Sequence, residues 1–275
     1  MPNFTLTSTT ADETHVFEIL SCEAPPEAEL VAELADELRD LYSDHEELAE
    51  RLKAQAPELE GVIDAPSLES VVDRVLKASI PEPGKHQIPN LDVARNELGE
   101  LLAHLVLKSR FGTLVPASRI RHKEIPAAPA RGLDLLGLEF GPLVGVVSEV
   151  KTSSQTTSPP DVVGKNEDCL RNQYVAFLAD DDRILAELNR LFKEADEAAK
   201  GEIARAIALS VAGKLDLVVH PVLVRPAEHA AETDFGCFQD EPEQFAGRRI
   251  RFSVVSIDQP IEDLAKAVYE RARHA

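Results

Sequence analysis

Three polar side chains lie in two short apolar segments of the chain and could act together in hydrolysis. Asp134 lies within residues 131–140, among leucines, and Glu149 and Lys151 follow the apolar run 143–147. Side chains alternate between the faces of a strand, so Glu149 and Lys151 project from the same side. Two carboxylates and an ammonium at the ends of neighbouring strands can hold a divalent cation and a water molecule. That is the minimum set for cleaving a phosphodiester.

The surroundings of Asp134 favour this interpretation. Asp134 precedes Glu149 by 15 positions, which suits two neighbouring antiparallel strands joined by a short turn at 140–142. Gly132 and Gly137 flank Asp134 and leave room for close backbone approach.

Two helices offer further candidates. Glu97 and Glu100 are three residues apart on a predicted helix, so they lie close together on one of its faces. A later helix carries Asn172 and Gln173, directly after the polar loop 153–160. Which of the two glutamates faces the site stays open.

A structural alternative exists for each of these residues. A Glu-x-Lys tripeptide occurs by chance in most proteins, and its ordinary form is an exposed strand edge with an ion pair. Asp134 could cap a bulge, and Glu97 and Glu100 could be helix-surface acids.

The elements around these residues predict a mixed α/β fold with helices that cover a central sheet. The Ser43-Asp-His-Glu46 sequence is a capping-box pattern, so the acidic helical stretch before residue 56 is either one helix or two. Strands are predicted near residues 3–8, 14–22, 114–121, 132–140, 144–152, 215–224 and 249–257, and helices near 68–78, 91–110, 167–179, 181–212 and from Ile261.

The charge of the chain divides it into two regions. The protein has 275 residues and a formal net charge of −20. Residues 1–90 carry 20 acidic and 6 basic side chains, against 29 and 23 in residues 91–275. The proline-rich segment 80–89 is the best candidate linker. We therefore predict an acidic N-terminal region, 1–90, and a second domain, 91–275.

Basic clusters remain in the second region. One contains Arg119, Arg121 and Lys123, with Arg131 just before Asp134, and we expect it to face phosphate groups. The other, 248–251, is equally well explained as a solvated face.

Composition also narrows the cellular context. No apolar run approaches the roughly 20 residues of a membrane-spanning helix, and we expect no secretory signal and no membrane partner. Cys22, Cys169 and Cys237 are far apart and odd in number, which predicts neither a disulfide framework nor a zinc site. A cytoplasmic protein is expected.

Asp134 followed by Glu149-Val-Lys151 resembles the signature of the PD-(D/E)xK nuclease superfamily, and the order of elements over residues 91–180 resembles its core. Segments 96–102, 116–123 and 130–137 are similar to the nuclease subunit of Hachiman anti-phage defence systems, the HamA-like proteins. One departure is Leu133, which stands where the superfamily usually has a proline. The resemblance implies a restriction-endonuclease-like core.

These resemblances imply a Mg²⁺-dependent endonuclease, with Mn²⁺ as a second possible cofactor. Asp134, Glu149 and the carbonyl of Val150 would supply oxygen ligands, which Mg²⁺ prefers. Lys151 would orient a water molecule or help to deprotonate it, although an ordinary lysine pKa near 10.4 favours positioning. Glu100, with Glu97 as its alternative, would orient the lysine or bind a second metal ion. Gln173 is a weaker candidate contact to nucleic acid.

The Hachiman resemblance also implies a partner, a superfamily 2 helicase (HamB-like), with DNA as the substrate. The negative net charge of the chain agrees with this, because such a chain binds duplex DNA weakly at physiological salt. Nothing in the chain resembles a Walker motif, so we expect no ATP hydrolysis by it. The alternative is a catalytically inactive, regulatory subunit that docks through its acidic helices.

Overall fold

The fold is built on one mixed six-stranded sheet in the described part of the chain. The computed structural model describes residues 3–12, 14–23, 27–42, 45–55, 65–82, 93–115 and 134–274. The strands are β1 (Asn3–Ala11), β2 (His15–Glu23), β3 (Leu135–Glu139), β4 (Val144–Thr152), β5 (Asp216–Pro226) and β6 (Arg249–Ile257). Their order in the sheet is β1-β2-β6-β5-β4-β3.

The strand sequences explain this arrangement. Strands β4, β5 and β6 are buried along most of their length, as expected of strands covered on both faces, and they form the parallel centre of the sheet. Strand β3 joins β4 antiparallel at one edge. Strand β1, which is mostly exposed, lies antiparallel to β2 at the other edge.

Helices cover both faces of the sheet, which confirms the predicted α/β class. The helices are α1 (Glu27–Tyr42), α2 (His45–Ala54), α3 (Ala65–Ser79), α4 (Val93–Phe111), α5 (Asp161–Gly164), α6 (Leu170–Leu178), α7 (Asp181–Glu194), α8 (Glu197–Val211), α9 (Cys237–Asp240) and α10 (Ile261–His274). Helices α1, α3, α4 and α10 share one buried apolar cluster with the sheet. Helices α5 to α8 share a second cluster on the opposite face. Of the described helices, none has the length and apolar character needed to cross a bilayer.

Element bounds agree with the predictions in most places. Of the strand predicted near 114–121, only residues 114–115 are described, and Leu114 forms an isolated bridge with Leu138. Two predicted helical stretches need refinement. The acidic stretch is two helices, α1 and α2, in agreement with the two-helix alternative. The stretch predicted as helical over 181–212 is also two helices, because the Asp196 carboxylate accepts the Ala199 N–H at 2.8 Å and starts α8 anew.

The first strands belong to the same sheet as the predicted nuclease core. Phe17 of β2 pairs in parallel register with Phe252 of β6, and helix α1 packs against α10. The sheet and its helical cover therefore continue across the boundary predicted at residue 90. The segment 83–92 at that boundary lies outside the described residues.

A buried ion pair anchors the loop that follows β4. The Arg225 guanidinium, at the end of β5, bonds the Asp234 carboxylate, and both side chains are fully buried. Arg225 also donates to the carbonyl oxygens of Gln155 and Thr157, while the Ser158 hydroxyl donates to Asp234 at 2.6 Å. These bonds hold the loop that leads from β4 towards α5 and α6.

Candidate active site

Strands β3 and β4 place Asp134 beside Glu149. Leu135 pairs with Ser148, so Asp134, one residue earlier, lies opposite Glu149 at the end of the ladder. Opposite residues of an antiparallel pair project from the same face. The Asp134 N–H donates to Oε2 of Glu149 at 3.3 Å. The predicted antiparallel neighbours are therefore present, with the Asp134 backbone hydrogen-bonded to the Glu149 carboxylate.

The Asp134 carboxylate extends the edge of the sheet just before β3 begins at Leu135. The Val150 N–H donates to Oδ2 of Asp134 at 2.8 Å, in place of a strand partner. The N–H and C=O of one strand residue point to the same side, so the Val150 carbonyl also faces this edge. Asp134, Glu149 and the Val150 carbonyl, the three predicted oxygen ligands, thus lie at one corner of the sheet.

Gln173 of α6 links Glu149 to Lys151. In the orientation that satisfies both ends of its amide, Gln173 donates to Oε1 of Glu149 at 2.6 Å and accepts from Nζ of Lys151 at 3.1 Å. The Lys151 ammonium also lies 3.7 Å from Oδ2 of Asp168, an exposed side chain. The sequence assigned Gln173 to nucleic-acid contact, and the structure shows it as a bridge within the site.

Tyr174 is a residue of this site that sequence reasoning missed. The Glu149 N–H donates to the Tyr174 hydroxyl at 2.8 Å, and that hydroxyl donates to the Val147 carbonyl at 3.3 Å. Burial, followed by the nearby charges of Glu149 and Asp134, holds the pKa of Tyr174 well above its ordinary value. The hydroxyl therefore stays protonated, and its two hydrogen bonds hold α6 against β4.

The spacing of Leu170, Tyr174 and Phe177 could have indicated this contact. These residues are four and three positions apart, which predicts one buried face of α6. A buried tyrosine needs a hydrogen-bond partner for its hydroxyl, so Tyr174 was a candidate for contact with the neighbouring strand.

Helix α4 lies on the other face of β4. A Cβ atom added to Gly99 would come within 2.8 Å of Cγ2 of Thr152 and 3.2 Å of Cγ1 of Val150. Val150 and Thr152 therefore face α4, whereas Glu149 and Lys151, which alternate with them, face α6. The absence of a side chain at Gly99 lets α4 approach this strand closely.

On α4, Glu97 and Glu100 both lie near Tyr42 of α1. The Glu97 carboxylate accepts hydrogen bonds from the hydroxyls of Tyr42 and Tyr269, so it joins α4 to α1 and α10. Glu100 lies near Tyr42, where burial and then the Glu100 charge raise the pKa of the tyrosine. The sequence assigned Glu100, with Glu97 as its alternative, to orientation of Lys151 or to a second metal ion. In the structure, the hydrogen bonds of Glu97 join three helices.

Replacement of Glu97 by alanine is expected to lower stability. The change removes the acceptor of two tyrosine hydroxyls, and a buried polar group without its partner costs about 1–3 kcal/mol. Urea unfolding measures the loss, with Glu270→Ala on the exposed face of α10 as the control. Unchanged stability combined with loss of cleavage would instead give Glu97 the catalytic role predicted from the sequence.

A pocket of about 350 Å³ opens beside Glu149. It lies between the end of β4, helix α6 and the first turn of α7. Its lining includes Glu149, Glu167, Asn172, Gln173, Phe177 and Arg183. The carboxylate–lysine corner, formed by Asp134, Glu149 and Lys151, is therefore next to a pocket of the size that small ligands occupy.

The predicted phosphate-facing residues Arg119, Arg121, Lys123 and Arg131 lie outside the described residues. Two arginines of the second basic cluster, 248–251, are engaged in protein contacts. Arg249 pairs with Asp216 at 2.6 Å. Arg251 pairs with Glu139 at 2.6 Å, and its guanidinium lies 4.1 Å from the centre of the Phe111 ring.

Comparison with known proteins agrees with the resemblance read from the sequence. No curated protein matches the chain. A protein-family model described as HamA matches residues 3–272, which is nearly the whole chain. The match includes both the N-terminal strands and the carboxylate–lysine corner, and on this basis the chain belongs to the HamA family, a component of Hachiman anti-phage defence.

Proposed function

We propose that this protein is a metal-dependent nuclease that cleaves DNA within its defence system, built on a PD-(D/E)xK core. The observation that carries the proposal is the grouping of Asp134, Glu149 and Lys151 at one corner of the sheet. Gln173 lies between Glu149 and Lys151, so these two side chains do not form a direct ion pair with each other. A carboxylate pair with an adjacent ammonium of this kind suits hydrolysis of a phosphodiester.

The donor set fits Mg²⁺ or Mn²⁺. Among the residues that the structure describes, no group of three or more His, Cys, Asp or Glu side chains could form a metal cage. Mg²⁺ rarely uses such cages; it binds through one or two carboxylates, keeps several waters and takes further ligands from substrate phosphates. Asp134, Glu149 and the Val150 carbonyl would hold it. When bound, such an ion lowers the pKa of a water and stabilises charge on the phosphate.

The side chains of the site have separate roles in this proposal. Gln173 keeps the Lys151 ammonium on the face of Glu149, where it can donate a hydrogen bond to a water or to a phosphate oxygen. Positioning of this kind brings the reacting groups together before the reaction. The protonated Tyr174 holds the Glu149 backbone and so limits movement of its carboxylate. Water attacks phosphorus as one P–O ester bond breaks.

The acidic charge of the chain supports action with a partner. With 49 acidic against 29 basic side chains, the protein has an excess of negative charge, which disfavours binding to DNA phosphates. A superfamily 2 helicase partner would engage the DNA and present it to this corner of the sheet. The partner would then regulate cleavage by controlling whether DNA reaches Glu149 and Lys151.

The alternative is a catalytically inactive subunit that docks through its acidic helices. A degenerate site is expected to have carboxylates directed away from one another. Here the Asp134 N–H reaches the Glu149 carboxylate at 3.3 Å, and the Val150 N–H reaches the Asp134 carboxylate at 2.8 Å, so both carboxylates lie at the same corner of the sheet. This geometry favours the nuclease.

Purified protein, mixed with its helicase partner, is expected to degrade plasmid DNA in Mg²⁺ or Mn²⁺ and to lose this activity in EDTA. Gel electrophoresis of the plasmid measures the reaction, with and without the partner and ATP. Mg²⁺-independent degradation, or none under any of these conditions, would contradict the proposed function.

A further inference from the structure

The pocket beside Glu149 is lined by a cation, Arg183, that has no role in the proposed reaction. Arg183 lies in the first turn of α7, and its side chain lines the pocket together with Glu149 and Gln173. The same pocket therefore contacts the carboxylate–lysine corner and a guanidinium on a different element.

The structure restrains Arg183 from two directions. The Arg183 N–H donates to the Asp180 carboxylate at 3.0 Å, which fixes the start of α7. The guanidinium lies 5.2 Å from the centre of the Phe177 ring, within the range of a cation–π contact. Phe177 is itself buried, so the ring gives the guanidinium a fixed surface.

Arg183 differs in this respect from the other arginines of α7 and α8. Arg190 pairs with Glu187 and Glu194, and Arg205 pairs with Glu202. Within the described ranges, Arg183 has no carboxylate within ion-pair distance. A guanidinium whose planar donors are not used by a carboxylate is well suited to bidentate contact with a phosphate.

The size and chemistry of the pocket define what it would receive. A volume near 350 Å³ is in the range of small-ligand sites and suits a single nucleotide rather than a base pair. The lining is not simply cationic, because Glu149 and Glu167 contribute carboxylates. Glu167 and Asn172 can instead accept hydrogen bonds from base or sugar donors, while the one cation contacts the backbone.

We propose that this pocket receives an unpaired nucleotide next to the scissile phosphate, with Arg183 contacting the DNA backbone. The proposal rests on the proposed nuclease function and narrows its substrate to strands whose bases are accessible. A base that enters a concave pocket cannot be paired at the same time, so single-stranded DNA binds without the cost of unpairing. Arg183 is then a specificity-determining residue rather than one that acts on the reacting atoms.

Binding of a single-stranded oligonucleotide in EDTA tests the pocket without cleavage. We expect Arg183→Ala to weaken binding about tenfold or more, as loss of a charge-assisted hydrogen bond does, with partial rescue by Arg183→Lys. Arg205→Ala, which removes an exposed arginine from α8, is the matched control and should change binding little. Wild-type protein should bind the single strand more tightly than the same sequence as duplex.

Cleavage assays with the helicase partner separate this proposal from the proposed function. Arg183→Ala should raise KM for single-stranded DNA more than it lowers kcat. Equal binding by wild-type protein and Arg183→Ala, an equal loss in Arg205→Ala, or a preference for duplex would overturn the pocket assignment while leaving the nuclease intact. Thermal melting of each variant checks folding. If Arg183→Ala melts at a lower temperature than the wild-type protein, Arg183→Gln takes its place in the binding and cleavage assays.

Discussion

Replacement of Lys151 by alanine is expected to reduce DNA cleavage by about 10²–10³-fold, the typical cost of losing one aligned electrostatic contact to a transition state. The ammonium is held by Gln173 and lies near Asp168, with only 19% of its side chain exposed. Its removal takes away the ammonium that Gln173 holds beside Glu149. Time courses of plasmid cleavage in Mg²⁺ measure the effect.

Changes to the carboxylates are expected to have larger effects. Glu149→Ala and Asp134→Ala each remove an oxygen donor and should reduce cleavage below detection. Since Glu149 is buried and accepts hydrogen bonds from Asp134 and Gln173, its alanine variant also leaves polar groups without partners. Glu149→Gln and Asp134→Asn keep the shape and an acceptor oxygen, so they separate loss of charge from loss of folding.

A lysine away from the site provides the matched control. Lys165 is 68% exposed and pairs with Asp161 near the end of α5. Lys165→Ala should leave cleavage unchanged, while circular dichroism and melting curves confirm that the site variants fold. Mg²⁺-dependent cleavage retained by the double variant Glu149→Ala, Lys151→Ala would disprove the assignment of the site.

The strand that carries the site could be predicted closely from the sequence. Residues 144–152 were predicted as a strand, and β4 is Val144–Thr152. The reason is local: an apolar run, a glycine-proline turn before it and a polar loop after it leave few alternatives. The position of Asp134 opposite Glu149 followed from the same local pattern, because a short turn between two strands fixes their register.

Contacts between distant elements could not be predicted in this way. The parallel pairing of β2 with β6 joins residues more than 230 positions apart, and no local pattern records it. The sequence also did not predict which face of α4 packs on the sheet, because its apolar positions allow several rotations of the helix. The close approach of Gly99 to Thr152 in the structure determines that face. The choice between Glu100 and Glu97 as the partner of Lys151 consequently stayed open, and packing of α4 on α1 and α10 places the Glu97 carboxylate between Tyr42 and Tyr269.

Breaking the buried ion pair of Arg225 and Asp234 is expected to have the largest effect on stability. Both side chains have no exposed surface, and removal of one partner leaves a charge buried without compensation. Such a change typically costs about 3–5 kcal/mol. The whole free energy of unfolding of a protein is about 5–15 kcal/mol, so Asp234→Ala should consume a large part of it.

The pair has this importance because of what the guanidinium holds. Arg225 donates to the carbonyls of Gln155 and Thr157, and Asp234 accepts from Ser158. The loop they fix connects the end of β4 to the helices that place Gln173 and Tyr174. Loss of the pair is therefore expected to loosen the active site as well as the fold.

Urea unfolding of a double-mutant cycle tests this expectation. Asp234→Ala and Arg225→Met should each destabilise strongly, whereas the double variant should lose less than the sum of the two. The exposed pair of Arg249 and Asp216 provides the control, since surface ion pairs contribute about 0–1 kcal/mol. If Asp234→Ala lowered stability no more than Asp216→Ala does, the buried pair would not be the anchor of the loop after β4, and the order of Gln173 would have to come from the packing of Tyr174 on the sheet alone.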